Sequence, residues 1–139
     1  MSTIEYLEQV KNHNDRIALL RQEIEEITAR TQELSAMSYG QTKVRSSGRE
    51  DRMDLLLDKL NEKTECCRQK ILQLDELICE TADEIARLDN LDEVMCLMLK
   101  YVRLMPWKDV AEVMGISERH LRRIRDRGVE HLEKLREGH

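Results

Sequence analysis

Phenylalanine is absent from this chain of 139 residues, proline occurs once, glycine occurs five times and aromatic residues make up 3%. Strand-rich folds need aromatic and β-branched residues together with frequent glycine and proline turns, so this shortage excludes a mainly β fold. The chain instead uses leucine, methionine, glutamate, lysine, arginine and glutamine, which favour helices. Charged residues make up 37%, a share typical of long exposed helices. We therefore predict an all-α protein.

Several patterns that carry chemistry or membrane insertion are also missing. The four cysteines, at positions 66, 67, 79 and 96, form no C-x-x-C pair, and we expect them to be free thiols near helical seams. No apolar run approaches the ~20 residues that a membrane span needs, and the first residues lack the features of a signal peptide. We find no glycine-rich phosphate loop and no nucleophile beside a base. We therefore expect no enzyme, metal or cofactor, and a cytoplasmic protein without membrane contact.

Charge is distributed unevenly along the chain. The net charge of −5 argues weakly against a nucleic-acid-binding protein, but distribution matters more than the sum. Residues 1–49 are neutral, residues 50–93 carry a net charge of −8, and residues 94–139 carry a net charge of +3. The basic surplus therefore lies in the last third of the chain.

Two long amphipathic segments precede that basic third. Apolar residues recur at helical spacing over residues 4–36 and again over residues 51–88, and each series forms a narrow coiled-coil-like stripe. The predicted seam positions of the first helix are Val10, Ile17, Leu20, Ile24, Ile27 and Leu34. Those of the second are Leu57, Leu60, Thr64, Cys67, Ile71, Leu74, Ile78, Thr81, Ile85 and Leu88. These stripes predict a long antiparallel hairpin over residues 1–90, and two hairpins could associate into a homodimer through the long helices.

The predicted connector of the hairpin is a loop over about residues 38–49. This stretch contains two glycines, four serines or threonines and three bases, without an acid. Its bases Lys43, Arg45 and Arg49 could contact DNA, and an ordinary solvated connector is the alternative.

A second domain is predicted over residues 91–139. Asn90 followed by Glu93 resembles a capping box, which would start a helix over about Leu91–Leu104. The following Met105 and Pro106 would end that helix, because proline disfavours helix at the residue before it.

The segment WKDVAEVMGISERHLRRIRDRG, which begins at Trp107, has the spacing of a helix-turn-helix. Ala111 is small where two helices would cross, and Gly115 stands where the turn needs a positive φ. The hydroxyl of Ser117 can cap the next helix. The apolar positions expected to face one another are Val110, Met114, Ile116, Leu121 and Ile124. An ordinary helical corner with a glycine cap is the alternative.

The polar face of the second short helix favours DNA binding over that alternative. It contains five arginines within nine residues, and arginine can hydrogen-bond guanine with two donors or hold phosphates. The predicted DNA-binding residues are Lys108, Ser117, Arg119, His120, Arg122, Arg123, Arg125 and Arg127. Near the helix start, Arg119, His120 and Arg123 are the predicted base contacts. The predicted phosphate contacts are Lys108, Arg122, Arg125 and Arg127.

The stretch VMCLMLKYVRLMPWKDVAEVMGISERHLRRIRDRGVEHLEKL resembles the C-terminal region four of bacterial sigma factors. The shared pattern is an apolar helix, a helix that begins with an aromatic residue, the dipeptide IS and a basic helix. The resemblance implies that this part binds promoter DNA and contacts RNA polymerase. The chain departs from a full sigma factor because it lacks a recognisable region two, which opens promoter DNA.

The whole chain is similar to phage and prophage transcriptional activators of the RinA and ArpU type from Gram-positive bacteria. These proteins pair a helical arm with a sigma-like helix-turn-helix, and the segment KVRSSGREDRMDLLLDKLNE resembles their loop and helix. The resemblance implies a late-gene activator that acts with RNA polymerase in the bacterial cytoplasm. It implies DNA contact by Arg119, His120, Arg122 and Arg123.

Two other functions are compatible with the same residues. A small terminase subunit of a phage packaging machine also combines a helix-turn-helix with helical assembly segments. A helical interaction protein would use the hairpin alone. Residue spacing does not distinguish an activator from a repressor.

Overall fold

The computed structural model describes residues 1–40 and 47–138, and every regular element in these ranges is helical. The elements are α1 (Thr3–Gly40), α2 (Ser47–Ala86), α3 (Leu91–Leu97), a π-helical turn (Met98–Val102), α4 (Trp107–Met114) and α5 (Glu118–Glu137). The prediction of an all-α protein with a long helical pair is confirmed. None of the described helices is both long and apolar enough to cross a membrane.

Both long helices extend further toward each other in sequence than predicted. Helix α1 continues to Gly40 and α2 begins at Ser47, so the predicted loop at 38–49 is wrong at both ends. The physical reason is that an established helix adds a residue at little cost, whereas starting one is costly. The central part of the predicted loop, residues 41–46 with Lys43 and Arg45, lies outside the described residues.

The chain forms two compact units, and each contains parts of α1 and α2. Residues 15–72 form one unit, which we call the helical-pair unit. Residues 1–14 and 73–139 form the other, which we call the head unit. The predicted domain boundary at residue 90 falls inside the head unit. The roles assigned to its two sides, assembly before residue 90 and DNA binding after it, stay predictions.

In the helical-pair unit, a narrow seam joins two antiparallel helices. Lys63 of α2 lies 2.9 Å from a carboxylate oxygen of Glu23 of α1, and Leu34, later in α1, shares a cleft with Leu56, earlier in α2. The most buried apolar side chains of this unit are Ile17, Ile27 and Cys67. The other predicted seam residues of α1 in this unit, Leu20, Ile24 and Leu34, are half-buried.

The early part of α2 has a different register from the predicted one. Leu57 is 41% exposed and Thr64 is exposed, whereas Leu56 and Leu60 are half-buried. Residues 55–57 are three consecutive leucines, so more than one heptad register presents a leucine at this point. The prediction that Leu57 and Thr64 lie in the seam is therefore wrong for the described chain. Further along α2, the predicted seam residues from Cys67 onward are buried or half-buried.

The head unit contains two apolar clusters, and α3 with the π turn contributes to both. The first cluster joins the start of α1, the end of α2 and the later part of α5. Its buried members are Leu7, Ile85, Leu88, Leu97, Tyr101 and Leu132. The second cluster joins α3, α4 and the first part of α5. Its buried members are Cys96, Val110, Ala111, Leu121 and Ile124.

Helix α5 approaches α3 closely at Gly128. A Cβ atom at this position would lie 3.3 Å from the Cβ of Glu93 and 3.3 Å from a methyl carbon of Leu97. This approach lets Nδ1 of His131 on α5 lie 2.8 Å from an oxygen of the buried Glu93 carboxylate. The hydrogen bond ties α3 to α5 and provides the buried carboxylate with a polar partner.

The predicted capping of α3 is partly confirmed. The side-chain oxygen of Asn90 accepts hydrogen bonds from the backbone nitrogens of Asp92 and Glu93, at 2.9 and 3.2 Å. Within the described residues, the Glu93 carboxylate bonds His131 and not the backbone nitrogen of Asn90, which a complete capping box would need. This carboxylate is buried between helices and is held by its bond to α5, so the Glu93 half of the predicted capping box is wrong.

The predicted helix over Leu91–Leu104 is α-helical only as far as Leu97, and its remainder has a different backbone geometry. After Leu97 the chain makes a π turn, in which the backbone nitrogen of Arg103 donates to the oxygen of Met98 at 2.9 Å. Leu104 then has a positive φ of 58°, which is uncommon for any residue other than glycine. Pro106 is the N-cap residue of α4, so the helix ends before proline, as predicted.

Candidate nucleic-acid interface

A tight turn at Gly115 joins α4 to α5. Gly115 has a φ of 68° and a ψ of 33°, the left-handed conformation that glycine adopts without a steric penalty. Its backbone nitrogen donates to the oxygen of Glu112, and that of Ile116 donates to the oxygen of Ala111. This pair of bonds is a Schellman motif, which satisfies the last carbonyl groups of α4. The predicted positive φ at Gly115 is confirmed.

Ser117 begins α5 as predicted. Its side-chain oxygen accepts a hydrogen bond from the backbone nitrogen of His120 at 3.1 Å, and its φ and ψ are extended. This cap uses a backbone donor that the first turn of a helix leaves unpaired. The two ends of the turn are therefore fixed by local chemistry that the sequence encodes.

Apolar contacts set the orientation of α5 against α4. Leu121 is fully buried and Ile124 is 3% exposed, and both pack with Val110 and Ala111 of α4. Cys96 of α3 lies in the same cluster, and burial raises the pKa of its thiol to about 11. This thiol therefore stays protonated at neutral pH and acts as a small apolar group.

The side of α5 opposite this cluster is exposed and basic in its first half. At about 100° per residue, Arg119 and Arg123 lie near the centre of the exposed side, with Arg122 and Arg127 on its flanks. All four side chains are exposed, as is His120, which lies further to the side in the first turn. Asp126 lies among these arginines, and the second half of this side carries Glu130, Glu133 and Glu137 together with Lys134. Positive charge is therefore concentrated within the first ten residues of α5.

Arg125 differs from the other arginines of α5. Its guanidinium carbon lies 5.5 Å from the centre of the Trp107 ring, and its Nη1 donates to the Tyr101 hydroxyl at 3.4 Å. This hydrogen bond is the main reason why the pKa of Arg125 is raised above its ordinary value. The side chain is only 26% exposed. These contacts hold Arg125 within the protein and assign it a packing role that the sequence analysis missed.

One pattern in the sequence does point to that packing role. Arg125 lies four residues after Leu121 and one residue after Ile124, so it borders the buried stripe of α5. The Glu93–His131 pair has no such local pattern, because 38 residues separate its members.

The remaining predicted contact residue on α4 is exposed. Lys108 lies in the first turn of α4, where it shares the exposed side with Glu112, one turn later. The arginines of α5 therefore form the main basic surface, and Lys108 lies on the neighbouring helix. Within the described residues, no group of three or more histidine, cysteine, aspartate or glutamate side chains could hold a metal ion.

Comparison of the chain with protein-family models, with curated proteins and with solved structures finds no match. The function is therefore argued from the residues and their geometry.

Proposed function

We propose that α4 and α5 form a helix-turn-helix and that the protein is a sequence-specific DNA-binding transcription regulator. The observation that carries the proposal is the exposed group of Arg119, Arg122, Arg123 and Arg127 on the first half of α5. A capped, rigidly packed helix with this charge fits the major groove of duplex DNA, which admits one α-helix. The three exposed glutamates in the second half of α5 favour insertion by the first half, because DNA phosphates would repel them.

Within this proposal, position on the helix assigns different roles to the side chains. Arg119 and Arg123, at the centre of the exposed side, are the proposed contacts to guanine edges, and His120 in the first turn is a third base contact. Arg122, Arg127 and Lys108 lie further to the sides and would bind the phosphates that flank the groove. We omit Arg125 from the contact set because Trp107 and Tyr101 hold its side chain.

The helical pair supports a proposal of dimerisation. Leu19, Leu55, Leu57 and Leu72 of the helical-pair unit are exposed large apolar side chains, which a second copy could cover. A dimer would present two α5 helices to two half-sites, one DNA turn or a multiple of it apart. Light scattering at micromolar concentration should give twice the chain mass of 16.4 kDa. A stable monomer would contradict the dimer, and a ring of eight or more copies would favour a terminase subunit.

The sigma-like resemblance of the last third supports the finer proposal of a phage late-gene activator that acts with RNA polymerase in the cytoplasm. The corresponding measurement is transcription in vitro from a promoter next to the selected site. We expect the protein to increase the yield of transcript, and a decrease would instead make it a repressor.

Selection of bound duplexes from random DNA tests the DNA-binding proposal. We expect an enriched palindromic motif, and a failure to enrich any sequence would contradict sequence-specific binding. The affinity of the enriched duplex and of a scrambled duplex can then be compared by fluorescence anisotropy. Arg119→Lys and Arg123→Lys keep the charge but lose two-donor geometry, so each should weaken only the enriched duplex, by ~1–3 kcal/mol.

Two control variants separate base contact from phosphate contact. Lys134→Gln removes an exposed positive charge from the second half of α5 and should leave both affinities unchanged. Arg127→Gln should weaken both duplexes alike and reduce the salt dependence of binding by about one counterion. If the Arg119 and Arg123 variants behaved as Lys134→Gln does, α5 would not be the recognition helix.

A further inference from the structure

Residues 94–99, which end α3 and begin the π turn, are six consecutive apolar residues, VMCLML. Successive residues of an α-helix point about 100° apart, so a run of this length presents apolar side chains on every side of the helix. A helix that is apolar on every side is normally covered on every side. The described part of the chain, however, leaves one side of this helix exposed.

The exposed side of α3 faces away from both apolar clusters. Five of the six residues pack in or against those clusters, and Met95 belongs to neither. Met95 is 37% exposed, and Leu91, one turn earlier on the same side, is 70% exposed. Met98 and Val102 continue this side along the helix, and both are half-buried because they also pack against the first cluster. We call these four residues the α3 stripe.

The α3 stripe has the spacing of a helix-packing seam. Single exposed apolar residues are ordinary on protein surfaces, but the members of this row are four, three and four residues apart. Apolar residues interlock with this alternation where two helices pack in a coiled coil. In the wider π turn about four residues complete one turn, so Val102 stays on the side of Met98. The stripe therefore fits a second helix that carries a similar row.

Two exposed residues of opposite charge lie at the two ends of the stripe. Asp92 directly follows Leu91, and Arg103 directly follows Val102, so both charges lie on the same flank of the stripe. Both side chains are exposed, and neither forms an ion pair within the described parts of the chain. The flank is thus acidic at its start and basic at its end, which is complementary to a copy of itself that runs in the opposite direction.

We propose that two copies of the chain associate through the α3 stripe, as an antiparallel pair of helices related by a two-fold axis. A two-fold interface uses the same surface of both copies, so it needs a surface that is complementary to itself. With the axis between Met95 and Met98, each of these residues packs against the other one from the second copy. Leu91 of one copy then packs against Val102 of the other.

The same pairing brings the opposite charges together. In an antiparallel two-fold pair, residues on one flank meet residues on the same flank of the other copy, so Asp92 of each copy lies beside Arg103 of the other. The ion pair forms twice, once at each end of the interface, and it fixes the direction of the pairing. This interface uses none of the proposed DNA contacts, does not rest on the DNA-binding proposal, and would join two of the dimers proposed for the helical pair.

Sedimentation equilibrium at increasing protein concentration tests the proposal. The stripe is short, so each copy buries less than the ~800 Å² of a standard interface, and the association is weak. We expect the average mass to rise to about twice its starting value or more between about 10 μM and about 1 mM, whatever the assembly at the lower concentration. A constant mass over this range would overturn the proposal and leave the stripe to a different protein.

Matched variants at exposed apolar positions show whether the stripe is the interface. Met95→Asp places a charge in the middle of the stripe and should weaken the association by about a hundredfold, because pairing would bury that charge without a partner. Val113→Asp adds the same charge to α4, at a residue that is 58% exposed and belongs to neither cluster, and should leave the association unchanged. Equal association by the two variants would overturn the proposal.

A charge exchange tests the antiparallel pairing itself. Asp92→Arg and Arg103→Asp each bring like charges together and should each weaken the association by about tenfold. An equimolar mixture of the two variants should associate about as strongly as the unchanged chain, because opposite charges meet again wherever one variant pairs with the other. Recovery in the mixture would also show that both variants are folded. A mixture that associates no better than either variant alone would overturn the proposal.

Discussion

The head unit and the helical-pair unit bury their apolar side chains to different extents. In the helical-pair unit only Ile17, Ile27 and Cys67 are strongly buried apolar residues, and several leucines are more than half exposed. In the head unit, crossing helices enclose two clusters with several fully buried side chains. Two parallel or antiparallel helices share one seam, whereas helices that cross can surround a side chain from several directions.

This difference agrees with the different tasks that we propose for the two units. The proposed DNA-recognition surface would have to be held in one geometry, and the caps, the tight turn and the enclosed core of the head unit fix the helices that carry it. The helical-pair unit leaves apolar surface exposed, and such surface can serve assembly with a second copy. The two proposals about DNA contact and dimerisation thus rest on different units.

The largest expected contrast between the units comes from truncating one leucine in each. Leu132→Ala in the head unit removes a fully buried side chain and should reduce the free energy of unfolding by about 2–5 kcal/mol. Leu72→Ala in the helical-pair unit, where the side chain is 58% exposed, should cost less than about 0.5 kcal/mol. Urea unfolding followed by circular dichroism measures both. Equal losses would mean that Leu72 is covered in solution.

An intermediate effect is expected at the pair that links α3 to α5. His131→Ala leaves the buried Glu93 carboxylate without its hydrogen-bond partner and should cost about 1–3 kcal/mol. His120→Ala changes an exposed histidine on the same helix and serves as the control, with no expected loss of stability. Glu93→Gln replaces the buried charge with a neutral amide, which is less costly to leave without a partner. His131→Ala should therefore reduce the free energy of unfolding by less in a chain that already carries Glu93→Gln. If His131→Ala were as stable as the control, the pair would not hold the helices together.

The smallest expected effect concerns the turn between α4 and α5. Gly115→Ala places a Cβ in the left-handed region, where open space surrounds the position, so backbone strain of about 1 kcal/mol is the whole penalty. Gly138→Ala, at a glycine with a φ of −72°, should have no comparable cost. Thermal unfolding followed by Trp107 fluorescence compares the two variants. A melting temperature equal in both would contradict the role of Gly115.

Much of the fold follows from local sequence. The helical composition, the two long stripes, the cap residues Asn90 and Ser117 and the left-handed Gly115 were all predictable, because each depends on residues close together in the chain. The register of early α2 was not predictable, because the leucines at 55–57 offer more than one stripe. The end of α1 was predicted too early and the start of α2 too late, because an established helix can extend through residues that favour helix only weakly.

The candidate site also contains some features that the local sequence predicts and others that it does not. The exposed positions of Arg119, Arg122, Arg123 and Arg127 agree with the period of α5 measured from Leu121 and Ile124. Arg125, at the edge of that stripe, was expected to bind phosphate, but Trp107 and Tyr101 hold it. The DNA contacts themselves remain predictions, and the selection experiment tests them.

By itself the sequence determined the secondary structure, the turn at Gly115 and the concentration of arginine on one side of α5, because helix period and capping act over a few residues. Only the tertiary structure decided that Glu93 pairs with His131, that Arg125 packs inside, and that the start of α1 meets the π turn in one apolar cluster. These contacts join residues far apart in the chain, and their geometry depends on how close the helices approach, as at Gly128. A helical pattern specifies which face is buried, but the partner of each buried polar group is set by packing.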